Sequence, residues 1–120
     1  MSRLDLDRLE KEISTFVEER DWDQFHSIKN LTMALSVEAS ELAEIFQWMK
    51  ESESNHAHRV PETLVKVQDE LADILFYLIR IASKTNISLE EALLQKLRKN
   101  EAKYPAEKVR GSSKKYSDYE

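Results

Sequence analysis

A single glycine, Gly111, and two prolines, Pro61 and Pro105, are the strong backbone punctuators in 120 residues. Glycine supplies positive-φ turns and close backbone approaches, and proline supplies fixed turns. A β-sandwich, a glycine-rich phosphate loop or a dinucleotide-binding fingerprint needs more of both than this chain holds. What remains is a set of long uninterrupted segments, which reads as an all-α chain of one-domain length. Its hydrophobic share of 41% supports one core, and its charged share of 34% suits a soluble protein rather than a disordered one. The chain lacks cysteine, so disulfides, thiolate zinc sites and cysteine nucleophiles are excluded. A net charge of −5 argues against binding a nucleic acid polymer through a basic surface. The longest apolar run, Ile74 to Ile79, is far too short to span a membrane. The chain is charged from Arg3 onward and lacks a signal-peptide core. The expectation is a cytoplasmic helical protein with no membrane partner.

Apolar spacing divides the chain into four helices. Leu6, Leu9, Ile13, Phe16 and Val17 make one face of a first helix from about Leu6 to Glu19, with Asp5 or Asp7 as its cap. Arg20 to Ser27 breaks the period and reads as an ordered connector. A second helix is predicted from Ile28 to Glu51, with a seam of Ile28, Leu31, Leu35, Ala39, Leu42, Phe46 and Met49. Ser52 to Val60 is polar and reads as a mobile loop. Pro61 suits the first turn of a third helix that reaches about Lys84. Its broad apolar face (Leu64, Val67, Leu71, Ile74, Leu75, Leu78, Ile79 and Ala82) has room for contacts on two sides. Ser88 and Glu91 form a capping box for a fourth helix ending near Tyr104, before Pro105. Residues 1–105 therefore read as one helical domain, and residues 106–120 as a polar tail. The middle helices would each be about 35 Å long at 1.5 Å per residue. Such long seams would stay exposed in a monomer this small, which points to self-association.

The acids carry the functional signal. Glu38, Glu41 and Glu44 follow one another at three-residue steps, and the same stripe carries Ile45 and Trp48. Glu70 and Asp73 are also three apart, with Tyr77 beyond them and Leu71, Ile74 and Leu75 alongside. Leu42, Ile45 and Tyr77 stand where basic partners of Glu38, Glu41 and Asp73 would be, so local salt bridges do not explain the arrangement. A divalent cation would. Oxygen-only ligands suit Mg2+ or Mn2+, and two facing antiparallel helices could gather Glu38, Glu41, Glu70 and Asp73 around one site. The competing reading is a solvated acidic face on an ordinary bundle. A di-iron reading is weaker, because Glu53 and His56 supply the Glu-x-x-His spacing once, in the predicted loop.

Glu38-Ala39-Ser40-Glu41-Leu42-Ala43-Glu44-Ile45-Phe46-Gln47-Trp48, followed by Asp69-Glu70-Leu71-Ala72-Asp73-Ile74-Leu75-Phe76-Tyr77-Leu78, resembles the all-α nucleotide pyrophosphohydrolases of the MazG type. The likeness is to the small single-domain branch that includes dCTP pyrophosphatase. It extends to the connector Arg20-Asp21-Trp22-Asp23-Gln24-Phe25-His26 and to Lys96, Asn100, Lys103-Tyr104-Pro105 and Gly111 to Tyr116. Many members of the wider family carry two adjacent glutamates at the start of the first motif. Val37 precedes Glu38 here, as the dCTP branch would have it.

The resemblance implies a four-helix bundle assembled through dimers, as a homodimer or homotetramer. It implies Mg2+-dependent hydrolysis of nucleoside triphosphates to monophosphate and pyrophosphate, with Mn2+ a possible substitute and with dCTP or a modified dCTP favoured. Carried over by motif, Glu38, Glu41, Glu70 and Asp73 would be the metal ligands and catalytic carboxylates. One of them, Glu41 for instance, would take a proton from the attacking water. Glu44 is ambiguous between a ligand and a supporting residue. Lys96, Lys114 and Lys115 would offset phosphate charge, and Asn100 would donate a hydrogen bond there. His26 would contact phosphate or base, or else cap a helix start. Trp22 and Trp48 would stack on the base and Tyr77 would pack against base or sugar, unless these aromatics are core. The alternatives are a non-catalytic helical interaction module and a dUTP-type nucleotidase.

Overall fold

The structure is a computed structural model, and it describes residues 3–112. Those residues are helices and their connections, with no strand among them. The main helices are α1 (Leu6–Glu19), α2 (Ile28–Phe46), α4 (Pro61–Thr85) and α5 (Leu89–Lys103), and short helices α3 (Glu51–Ser54) and α6 (Ala106–Val109) complete the set. The all-α expectation holds. The chain divides into two compact units, the first ending at Asn86 and the second starting at Ile87.

In the first unit, Asp5 rather than Asp7 caps α1, its Oδ1 accepting from the Arg8 N–H at 3.1 Å. The connector contains a 3-10 turn, Asp23–Phe25, and Asp21 enters it at a φ of 53°, a left-handed conformation that aspartate tolerates. Ser27 then caps α2, its Oγ accepting from the Asn30 N–H at 3.1 Å. α2 packs along α4, and α1 also packs against α4. The buried apolar residues come from all sides of this contact: Val17, Leu31, Ala57, Ile79 and Ala82.

Two boundaries differ from the sequence reading. α2 stops at Phe46 instead of reaching Glu51, because the chain turns through Gln47 to Lys50 before α3 begins. The polar segment predicted as a loop instead holds α3 and a 3-10 turn, Ala57–Arg59, whose Ala57 is buried. Ala57 and the Val60 carbonyl, which accepts the first α4 bond from the Leu64 N–H, tie this segment down. α4 ends at Asn86, which adopts a left-handed φ of 56° and donates back to the Ala82 and Ser83 carbonyls.

The seam of α2 also differs from the predicted one at Ile28 and Ala39. Its buried or half-buried positions are Leu31, Ala34, Leu35, Glu38, Leu42, Ile45 and Phe46, with Met49 just beyond the helix end, and Leu31, Leu35, Glu38, Leu42, Ile45 and Met49 follow at alternating four- and three-residue steps. Ala39 is exposed. On α4, Thr63, Val67, Glu70, Ile74, Tyr77 and Ile81 are half-buried at the same alternation. A glutamate therefore occupies one seam position on each of two packed helices. Met33 and Val37 on α2, and Leu64, Leu71 and Leu78 on α4, remain exposed, Leu71 at 53%.

In the second unit, Ser88 caps α5 as the sequence predicts, its Oγ accepting from the Glu91 N–H at 3.3 Å. α5 stops at Tyr104, whose N–H donates to the Asn100 carbonyl at 2.7 Å, and Pro105 follows. The start of the polar tail is the helical turn α6.

Candidate active site

The α2 and α4 seams bring carboxylates together because Glu38 follows the fully buried Leu31 by seven residues, two helical turns on the same face. Carboxylate oxygens of Glu38, Glu41 and Glu70 all lie within 4.8 Å of one another. Glu38 and Glu70 are half-buried and Glu41 is exposed. One oxygen of Glu38 and one of Glu70 are buried without a hydrogen-bond partner. Buried polar atoms are nearly always satisfied, so two orphaned acceptors on facing helices need a donor or a cation. The neighbouring Glu70 carboxylate, then burial, then Glu41 and Asp73 push the Glu38 carboxyl up to about 7.

Asp73, one turn after Glu70, lies outside that closest set, but its charge acts on both Glu38 and Tyr77. The Tyr77 hydroxyl is pushed above its usual range by burial first and by the Glu38 and Asp73 charges second. Glu44 is exposed and is not one of the three clustered glutamates. The donor set is all oxygen, crowded with like charge and short of hydrogen bonds. It fits a hard divalent cation such as Mg2+ or Mn2+.

Trp22 meets Phe16 edge-on with ring centroids 5.5 Å apart, and stands 6.5 Å from the His26 ring. Phe16 in turn meets Phe76 at 6.2 Å, and Phe76 meets Tyr77 at 5.2 Å. Trp22 and Tyr77 thus belong to one chain of ring contacts. Trp48 does not lie on the helical stripe of Glu38 and Glu41, because α2 ends before it, and it is 89% exposed. Lys96 and Asn100 stand one turn apart on α5 in the second unit, Lys96 exposed and Asn100 half-buried. Lys114 and Lys115 lie outside the described residues. An open groove of about 540 Å³ is lined by Met49, Glu53, His56, Val60 and neighbours, and shares no residue with the carboxylate cluster.

A second polar cluster escaped the sequence reading. Arg80 is buried and reaches the connector, its Nε donating to His26 Nδ1 at 3.2 Å and its Nη2 to Asp23 Oδ1. Lys84, one turn later, donates to the His26 carbonyl at 2.6 Å and lies 3.1 Å from Asp23 Oδ1. His26 therefore does not cap α2. Burial, then the Arg80 and Lys84 charges, hold its imidazole below the usual histidine range against the opposing Asp23 charge. Lys84, through its hydrogen bond and charge, holds the Asp23 carboxyl low, with help from Arg80. The available signal was Arg80 itself, a lone cation inside the apolar run from Ile74 to Ala82.

Comparisons with known proteins agree with this architecture. Residues 33–119 match the MazG-like family. The chain is 40% identical to dCTP pyrophosphatase 1 of Mus musculus over 114 residues, covering 95% of this chain and 65% of the mouse protein. It is 41% identical to dCTP pyrophosphatase 1 of Homo sapiens over the same length, again covering 65% of that relative. The chain thus spans just under two thirds of these relatives. A crystal structure of a pyrophosphatase from Archaeoglobus fulgidus superimposes with a TM-score of 0.77 at 33% identity, covering 88% of this chain and 96% of that one. By the extent of the family match and the level of identity, this chain belongs to the MazG-like family.

Proposed function

We propose that this protein hydrolyses nucleoside triphosphates to the monophosphate and pyrophosphate, with dCTP or a modified dCTP preferred. The observation that carries the reading is the Glu38–Glu70 pair, two orphaned carboxylate oxygens in a cluster with Glu41. The names of the mammalian relatives support the reaction and the base, and that of the archaeal neighbour supports the reaction.

Glu38, Glu41, Glu70 and Asp73 would hold Mg2+, or Mn2+ in its place. When bound, the cation supplies positive charge between an acidic protein and an anionic triphosphate. Glu38 and Glu70 face each other across the helix contact and are suited to holding. Glu41, the exposed member, is suited to take the proton of the water that attacks phosphorus at the α–β bridge as pyrophosphate departs. Trp22, His26, Trp48 and Tyr77 would receive the nucleoside, and Lys96, Asn100, Lys114 and Lys115 would serve the phosphates. The exposed Met33, Val37, Leu64, Leu71 and Leu78 support assembly as a homodimer or homotetramer. Residues 1–105 would form the catalytic domain, with 106–120 as its tail. Among the described residues no helix is long and apolar enough to cross a membrane, in keeping with a cytoplasmic enzyme.

The test is pyrophosphate release from a panel of canonical and modified nucleoside triphosphates, with Mg2+ and with EDTA. We expect metal-dependent release with a monophosphate product, fastest from a deoxycytidine nucleotide. Absence of release from every nucleotide in a well-folded sample would return the chain to the interaction-module reading.

A further inference from the structure

We propose that Arg80 is a positioning residue, one that fixes the Trp22–His26 segment so that an indole face and an imidazole N–H are presented together to the base of the nucleotide. The role rests on the triphosphate chemistry proposed above, and adds a residue to it.

Arg80 is the buried charged residue among those described, with a side chain 9% exposed between Ile79 and Ala82. A buried guanidinium is costly unless it is paired and hydrogen-bonded. Its carboxylate partner Asp23 is 64% exposed, so the guanidinium spans from the helix interior to the connector. A helix needing only a packed residue there would be served by leucine. What the arginine adds is two directed bonds from one planar group, to Asp23 and to His26.

The bond to His26 determines chemistry. An arginine Nε can only donate, so Nδ1 of His26 is the bare acceptor and its proton sits on Nε2. The ring is thereby held as a neutral hydrogen-bond donor through Nε2. The backbone is held as well: Lys84 grips the His26 carbonyl, the His26 N–H donates to the Asp23 carbonyl, and the Asn30 side chain donates to the Phe25 carbonyl. Trp22 stands beside this ring and is 42% exposed, leaving part of its indole open. An open indole next to a fixed N–H donor suits a planar heteroaromatic ring bearing acceptors, which describes a pyrimidine base.

The position along α4 fits that use. Glu70, Asp73, Tyr77, Arg80 and Lys84 follow at alternating three- and four-residue steps, one continuous stripe. Asp73 and Arg80 are separated by seven residues, or about 10 Å of helix. The carboxylates and the connector thus share one line, joined by the ring contacts of Tyr77, Phe76, Phe16 and Trp22.

Arg80→Lys keeps the charge but cannot make both bonds, and Asp23→Asn, at an exposed position, loosens the clamp if Arg80→Lys fails to fold. For either variant we expect the dCTP KM to rise about tenfold with kcat within about twofold. Inhibition by inorganic triphosphate, which has no base, should stay within about twofold of wild type. Nitrogen NMR of the His26 ring should show the Nε2–H form in the wild type and a mixed or inverted tautomer in Arg80→Lys. An unchanged tautomer, an unchanged KM, or an equal loss of inorganic triphosphate affinity would overturn the role while leaving the triphosphate reading in place. A wild-type enzyme that turns over no nucleotide would overturn both.

Discussion

At one end of the polar stripe on α4, Glu70 faces Glu38 with no donor to either buried oxygen. At the other end, Arg80 and Lys84 share Asp23 and His26 so that each charge meets a partner. The same helix builds both, and the difference teaches how to read buried charge. Satisfied charge fixes geometry, here the shape of the connector. Unsatisfied charge marks a place completed by something else, and crowded oxygens specify a cation.

The largest effect that could break this contrast is on catalysis. Glu70→Gln should lower pyrophosphate release by at least about a hundredfold, since altering even the partners of metal ligands costs 10–100-fold. Steady-state assays over a range of Mg2+ would show whether added metal restores the rate, and it should not. The next effect is on stability. Mg2+ binding only the native state should raise the wild-type melting temperature, by about 2.7 kcal/mol of stability at a hundred times Kd. Glu38→Gln should lose that shift while Asp23→Asn retains it, which a thermal melt with and without Mg2+ would read directly.

A smaller effect separates the two ends by the sign of their pH response. Glu38 is raised from 4.5 to about 7 in the metal-free native state. Native protein therefore holds its proton where unfolded chain has released it. This contribution is complete below about pH 4.5 and disappears as pH rises through about 7. His26 and Asp23 are lowered instead. Their contributions are present above pH 6.5 and 3.8, the ordinary values, and are lost as pH falls through the depressed native ones. Denaturant melts of metal-free protein across pH should show Glu38→Gln removing the loss of stability toward pH 7 and leaving the acid limb alone. The smallest effect is at Trp48. With its side chain almost fully in solvent, Trp48→Ala should change stability by less than about 0.5 kcal/mol. Any effect should appear in the dCTP KM, and a large loss of stability would mean the residue is buried in an assembly.

Much of this was legible in the sequence, for identifiable reasons. The scarcity of glycine and proline excluded strand-rich folds, and Asp5, Ser88 and Pro61 marked helix starts by local chemistry that tertiary contacts did not override. Of the five acids at three-residue spacing, Glu38, Glu41 and Glu70 cluster, and Glu44 and Asp73 lie outside that set. The α2 seam was misread because apolar preference selects Ala39, whereas the half-buried position belongs to Glu38. That error has a physical cause: a carboxylate on a core-facing position violates the pattern by which cores are recognised. The early end of α2 was missed because Gln47 to Lys50 contains no glycine or proline to announce a turn. The Arg80 cluster joins residues 54 and 57 positions apart in the chain, and no local period reveals such a pairing.

Calorimetric titration of Mg2+ into metal-free wild type and Glu70→Gln, near pH 8, tests the central claim most directly. The account predicts saturable binding to the wild type and none to the variant. A silent wild type, or a variant that binds equally well, would mean the facing glutamates are a solvated acidic surface and not a cation site.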